Sequence, residues 1–169
     1  MSEKEYLHMF IYCDLDGVLV NLAGKLSEIY GVDLSKAASF NDYFYDHMDT
    51  LDNKQKVEFW ENLSELPDAM ILWDFLKQYK PSILTACSGS TAACFGKKHW
   101  CRDHLGVSSS RVFCVSKSNK KQYYACEGKL LIDDLESNIN EWEAKGGTGI
   151  LHKNAEDTII KLKDILKNY

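Results

Sequence analysis

The sequence is poor in the features that mark several classes of protein. Its 169 residues contain only two prolines and no low-complexity tract, and no apolar run approaches the roughly 20 residues that a membrane helix needs. The formal net charge of -5 provides no basic surface for a long polyanion. These absences argue against a disordered chain, a membrane-spanning protein and a protein that binds extended nucleic acid.

The cysteines also lack the spacing of a metal site or a disulfide framework. None of the six forms a Cys-x-x-Cys pair, and the group His99, Cys101 and His104 has no second ligand pair at zinc spacing. Reduced core thiols are therefore predicted. The segment 1–6 is charged and short before the first apolar run, and no apolar stretch is long enough to span a bilayer, so we expect a cytoplasmic protein.

The composition is that of a folded domain, with 45% apolar and 27% charged residues. A chain of this length can form one domain with a small insertion. Strands are predicted at 8–13, 83–85, 111–115, 129–132 and 149–151, and helical patterns at 22–80, 95–105, 138–144 and 156–166. Strands that alternate with helices predict an α/β fold with a parallel sheet covered on both faces.

The first strand runs directly into Asp14-Leu15-Asp16-Gly17-Val18. Two carboxylates two residues apart lie on the same side of an extended segment, and the glycine permits a sharp exit. Asp14 could attack phosphorus while Asp16 protonates the leaving oxygen and later activates water, provided that a cation offsets their charge. Alternatively the segment is a turn, since Asp and Gly favour turns.

A second apolar strand ends in acidic residues, at Asp133 and Asp134. If this strand neighbours the first, Asp14, Asp16 and this pair form an oxygen-rich pocket suited to Mg²⁺. Thr85, at the end of another strand, could donate a hydrogen bond to phosphate oxygens. Its alternative role, and that of Ser88, is a helix N-cap.

A cationic stretch at 117–121 interrupts this acidic sequence, and one of its lysines could reach a phosphate. The alternative is a solvated loop.

Asp14, Asp16, Thr85, a lysine and the late Asp pair together resemble the haloacid dehalogenase (HAD) superfamily of phosphatases. The resemblance implies a Rossmann-like three-layer α/β/α core at 1–20 and 81–169, with a small helical cap at 21–80 inserted after the first strand. It also implies Mg²⁺ held by the Asp14 carboxylate, the Asp16 backbone carbonyl and an Asp of the final pair, with Thr85 and Ala86 at the phosphate.

More narrowly, the sequence resembles the 5′(3′)-deoxyribonucleotidase group, through the helical insert and the Lys97-Lys98-His99-Trp100 pattern that precedes Leu105-Gly106. This resemblance implies Asp134 as the metal ligand, with Asp133 holding the site by hydrogen bonds. It implies Lys121 as the phosphate lysine, ahead of Lys120 and Lys117. Ala86 and Leu22 depart from the group, where a hydroxyl and an aromatic residue are common.

The aromatic residues of the insert could stack on a nucleotide base. The candidates are Phe40, Phe44, Phe59 and Trp60, although aromatic residues at helical spacing are usually core.

The sequence thus predicts a Mg²⁺-dependent phosphomonoesterase of nucleotide metabolism, most specifically a 5′(3′)-deoxyribonucleotidase acting on a small nucleotide. A homodimer is compatible with it. The alternatives are a phosphatase of another small ester or of a nucleic-acid phosphate terminus, and a nucleotide-binding module without turnover.

Overall fold

The computed structural model describes residues 9–169. Its centre is a sheet of five parallel strands in the order β3-β2-β1-β4-β5. The strands are β1 (Phe10–Cys13), β2 (Ser82–Ala86), β3 (Val112–Val115), β4 (Lys129–Asp133) and β5 (Thr148–Leu151). The predicted α/β fold with a parallel sheet is confirmed. His8, where the sequence predicts that the first strand begins, and the segment 1–6 lie outside the described residues.

Seven α-helices accompany the sheet in the described part of the chain. They are α1 (Leu22–Tyr30), α2 (Phe40–Thr50), α3 (Asn53–Glu61), α4 (Ala69–Leu76), α5 (Thr91–Leu105), α6 (Glu136–Glu143) and α7 (Ala155–Lys167). A 3₁₀ segment, Ser118–Tyr124, connects β3 to β4. Within residues 9–169, no helix is long and apolar enough to cross a membrane.

The side chains of the central strands alternate between two hydrophobic clusters. Ile11 and Cys13 of β1 belong to the larger cluster, whereas Tyr12 belongs to the smaller one. Parts of α4, α5 and α7 contribute to the larger cluster, and α6 contributes to the smaller one. Because successive strand residues point to opposite faces, this alternation gives the three-layer α/β/α arrangement.

Four helices, α1 to α4, lie between β1 and β2, in the region where the sequence predicts a helical insert. Helix α3 packs against α5, and α4 packs against α7. The indole Nε1 of Trp100 donates to the carbonyl of Leu63 at 2.7 Å, and that of Trp73 donates to Leu105 at 3.2 Å. These bonds attach the insert to α5. The division into a core at 1–20 and 81–169 and a cap at 21–80 stays a prediction.

Gly96 of α5 lies against α3. A Cβ at Gly96 would lie 2.6 Å from Cβ of Trp60 and 2.7 Å from the carbonyl oxygen of Val57. Only a residue without a side chain permits this approach, because one neighbour is backbone and the other is the stem of a buried ring.

We predict that Gly96→Ala destabilises the protein by about 1–3 kcal/mol through overpacking. Thermal or urea unfolding measures this change. Helix propensity alone favours alanine by about 1 kcal/mol, so a rise in stability would contradict the packing account.

Candidate active site

The ends of three neighbouring strands bring the predicted site residues together. Asp14 follows β1, which lies between β2 and β4 in the sheet. Its backbone N–H donates to the carbonyl of Ile132 at 2.9 Å, so the hydrogen-bonded ladder with β4 continues past the strand. Thr85 lies in β2 and Asp133 ends β4. The parallel register therefore places these residues at the carboxyl edge of the sheet, where ligands bind in open α/β folds.

Lys121 joins two of the acidic residues below the surface. Its Nζ lies 2.8 Å from Oδ1 of Asp14 and 2.6 Å from Oδ2 of Asp133, and its side chain is 2% exposed. Burial alone would lower the pKa of Lys121, but Asp14 and Asp133 raise it above its ordinary value. Lys121 is therefore a permanent cation within reach of Asp14. Lys117 is exposed and Lys120 lies over the ring of Tyr123, so neither occupies this position.

A second buried lysine, Lys97, contacts the other member of the first motif. Its Nζ donates to Oδ2 of Asp16 at 2.5 Å, to Oγ1 of Thr85 at 3.1 Å and to the carbonyl of Ala86 at 2.5 Å. Burial is the largest influence on Lys97 and would lower its pKa, but the charge and hydrogen bond of Asp16, together with Cys87 and Asp14, outweigh it and the net shift is upward. Lys97 thus fixes Asp16 relative to β2.

Trp60 of α3 covers Lys97. The lysine Nζ lies 4.2 Å from a ring centroid of Trp60, within cation–π range. Trp60 is 3% exposed, and its Nε1 is buried with no hydrogen-bond partner among the described residues. One face of this ring is therefore occupied by Lys97, and that face is not available for stacking on a ligand.

A tight turn brings Asp134 against the first motif. Gly17 has φ +79°, a conformation that side chains disfavour, and a Cβ there would lie 2.2 Å from Oδ2 of Asp134. The absence of a side chain at Gly17 therefore permits both the turn and the close approach of the Asp134 carboxylate.

The acidic cluster suits a hard divalent cation. Carboxylate oxygens of Asp14, Asp133 and Asp134 lie within 4.8 Å of one another, and Oδ1 of Asp16 is buried without a hydrogen-bond partner among the described residues. Four carboxylates and the two lysines leave two formal negative charges, which one Mg²⁺ would balance. Burial, then the neighbouring carboxylates, raise the pKa of Asp14, and the same causes raise the pKa of Asp134 to about 6.

The two residues of the late Asp pair have different surroundings. Asp133 is fully buried and its oxygens accept from Lys121, the Leu135 N–H and the Asn138 amide. Asp134 is partly exposed, and its carboxylate has no comparable set of side-chain donors among residues 9–169. This arrangement favours Asp134 over Asp133 as a cation ligand, because its oxygens are less committed to protein donors.

A crevice beside this site lies between the helices of the insert and the loop after β2. Its lining includes Phe44, Tyr45 and Met48 of α2, Trp60 of α3, and Ser88. Phe40 and Phe59, which the sequence analysis also proposed for base stacking, do not line it. Phe44 is buried, whereas Tyr45 is 52% exposed.

Sequence reasoning did not assign roles to Lys97, Tyr45 or Asn138. The signal for Lys97 was its place on α5, where Ala93, Trp100 and Cys101 mark an apolar face at helical spacing. A lysine on such a face needs a buried partner. Tyr45 carried no comparable signal, because it is one of several aromatic residues in α2.

Comparisons with known proteins found similarity of structure alone. No family model matches the chain, and no curated protein matches it. A hydrolase from Streptococcus pneumoniae TIGR4 has a TM-score of 0.52 and 12% identity, over 95% of this chain and 98% of that chain. A HAD-superfamily hydrolase from Ehrlichia chaffeensis has a TM-score of 0.52 and 11% identity, over 94% and 97%.

A HAD phosphatase from Thermococcus onnurineus has a TM-score of 0.50 and 15% identity, over 93% of this chain and 97% of that chain. The chain therefore has the Rossmann-like fold found in HAD-superfamily hydrolases and phosphatases. At such low identity the likeness concerns the fold, and what the site does must be argued from its own residues.

We predict that Asp134→Asn stabilises the metal-free protein at neutral pH. The folded pKa of about 6 exceeds the ordinary value of 3.8, so the folded state binds the additional proton between these values. Stability in the presence of chelator should therefore fall as pH rises from about 4 to about 6, and the variant should recover up to about 2–3 kcal/mol at pH 7.

Thermal unfolding in chelator across this pH range measures the effect. Asp74→Asn, on the exposed face of α4, is the matched control. Parallel pH profiles for the wild type and Asp134→Asn would contradict the prediction.

Proposed function

We propose that this protein is a Mg²⁺-dependent phosphomonoesterase that forms an aspartyl-phosphate on Asp14. The observation that carries the proposal is that each carboxylate of the first motif has its own buried lysine. Lys121 contacts Asp14, and Lys97 contacts Asp16. This pairing supports a division of labour, because the two carboxylates lie in different electrostatic environments.

In the first step, a carboxylate oxygen of Asp14 attacks phosphorus and the bond from phosphorus to the leaving oxygen breaks. Asp16 gives a proton to that oxygen. In the second step, Asp16 accepts a proton from water as the water attacks phosphorus, and inorganic phosphate leaves with Asp14 restored. Bound Mg²⁺, held by Asp14, Asp134 and the Asp16 carbonyl, would offset the charge of the carboxylates and the phosphoryl oxygens.

The lysines and Thr85 position the reacting groups. Lys121, beside Asp14, is suited to neutralise charge on the transferred phosphoryl group. Lys97 holds Asp16 towards Thr85 and Ala86, so the acid and the phosphate-binding strand keep a fixed relation. Asp133 binds Lys121 and orients it.

Asp14→Asn should lower phosphate release by about a thousandfold or more, because the amide is not a nucleophile. The assay measures release of inorganic phosphate at neutral pH with Mg²⁺, and then with chelator. The control is Asp103→Asn, which changes an exposed carboxylate on α5. Unchanged turnover in Asp14→Asn would exclude the aspartyl-phosphate mechanism.

For the substrate we propose a nucleoside monophosphate, with a deoxyribonucleotide preferred. The support is the crevice beside the site, where Tyr45 provides exposed aromatic surface and Phe44 and Trp60 form part of the wall. A base could stack on Tyr45. A sugar phosphate has no aromatic ring to stack there.

Tyr45→Ala should therefore raise KM for deoxyribonucleotides by about tenfold, which is within the range of base stacking on aromatic side chains, and leave KM for a sugar phosphate unchanged. A panel of deoxyribonucleotides, ribonucleotides and sugar phosphates tests this. Tyr123→Ala is the control, because Tyr123 is 71% exposed and does not line the crevice.

Equal effects of Tyr45→Ala on all substrates would exclude the stacking role. A wild-type preference for sugar phosphates or nucleic-acid termini would identify a phosphatase of another substrate class. Binding of nucleotides without any turnover would indicate a binding module.

A further inference from the structure

Three cysteines form a cluster that the proposed reaction does not use. The Sγ atoms of Cys87, Cys94 and Cys114 all lie within 4.8 Å of one another. All three are free thiols. Cys87 is buried, and the other two are partly buried. Cys87 directly follows β2, Cys114 lies in β3 and Cys94 lies in α5, so the three come from separate parts of the fold.

The sheet register explains why the thiols meet. Cys114 of β3 pairs with Thr85 of β2, so their side chains share a face of the sheet. Cys87 lies two residues beyond Thr85 and faces the same way, because the ladder continues through its N–H bond to the carbonyl of Val115 at 2.8 Å. Cys87 belongs to the larger hydrophobic cluster, and Cys114 packs against it.

Helix α5 supplies the third thiol. Cys94 lies in its first turn, whose start is fixed by the Ser90 side chain accepting from the N–H of Ala93 at 3.2 Å. The three thiols are therefore held by strand β3, by the residue that directly follows β2 and by a capped helix. Ligands on such elements are held in place before an ion arrives.

We propose that Cys87, Cys94 and Cys114 form a binding site for Zn²⁺, with a water molecule in the fourth position. Tetrahedral Zn²⁺ with sulfur ligands at about 2.3 Å requires sulfur atoms about 3.8 Å apart. The thiols need to move together by at most about an ångström to reach that separation. Thiolates favour Zn²⁺ over Mg²⁺, so this site and the carboxylate site would select different ions.

Zn²⁺ has to displace protons from this cluster when it binds. The hydrogen bond with Cys114 raises the pKa of Cys87, and burial raises that of Cys94. Zn²⁺ binding should therefore release protons to solution and tighten as the pH rises. Three thiolates and Zn²⁺ carry one net negative charge, which the nearby Lys98 would offset, since Lys97 is already paired with Asp16.

A disulfide is the competing use of these residues. It would join two thiols and leave the third unused, whereas all three are mutually within reach. The trio therefore favours a metal over a redox pair.

The test is a titration of the full-length, reduced protein with Co²⁺, in excess Mg²⁺ to saturate the carboxylate cluster. Thiolate ligation produces a near-ultraviolet charge-transfer band that oxygen ligands do not produce. We expect this band to saturate at one equivalent and to disappear when Zn²⁺ is added. The readout is independent of phosphatase activity and of whether the proposed function is correct.

Cys114→Ser and Cys94→Ser should each weaken Co²⁺ binding by at least about tenfold and remove most of the band. Cys126→Ser, at an exposed cysteine outside the cluster, should leave both unchanged. Circular dichroism checks that each variant is folded, and Cys94→Ser decides the result if Cys114→Ser does not fold.

The proposal is overturned if the reduced protein gives no thiolate band at one equivalent of Co²⁺. It is also overturned if the band survives in the folded Cys94→Ser variant, or if Cys126→Ser removes it. A disulfide within the trio, together with the absence of the band after reduction, would assign these residues to redox chemistry instead.

Discussion

The site depends on the burial of two ammonium groups among four carboxylates. Removing such charges from water is costly, and only close pairing with opposite charges makes it tolerable. Lys121 meets this condition through Asp14 and Asp133, and Lys97 meets it through Asp16. The backbone that carries each partner is in turn held by the sheet and its adjoining turns. The buried ion pairs therefore help to fix the geometry of the strand ends, in addition to any role in the proposed reaction.

The two pairs have different structural support. Lys121 belongs to the 3₁₀ segment between β3 and β4, and its partners Asp14 and Asp133 follow or end strands. Lys97 belongs to α5 and contacts Trp60 of the insert. The proposed nucleophile is thus supported by the sheet and its connections, while the proposed acid is also supported by the insert. A displacement of α3 would act on proton transfer before it acted on nucleophilic attack.

The strand ends could be predicted from the sequence because an apolar run that stops at an aspartate is a local pattern, and a parallel sheet brings such ends to one edge. The convergence of Asp14, Thr85 and Asp133 followed from this pattern. The partners of Lys97 could not be predicted, because they depend on the packing of α5 over β2 and of α3 over α5. The cysteine trio could not be predicted for the same reason, since sequence spacing does not reveal that the thiols of Cys87, Cys94 and Cys114 lie close together.

The crevice is lined by α2 and α3, and these two helices differ in how they pack against the rest of the protein. Helix α3 is locked against α5 at Gly96 and holds Trp60 over Lys97. Helix α2, which contributes Phe44, Tyr45 and Met48, has no comparable contact with the sheet or with α5. Substitutions in α2 can therefore reshape the wall that faces a substrate while the buried charges remain in place. Because the α2 wall of the crevice is separate from the buried charges, related sequences could change their substrate preference through substitutions in this one helix.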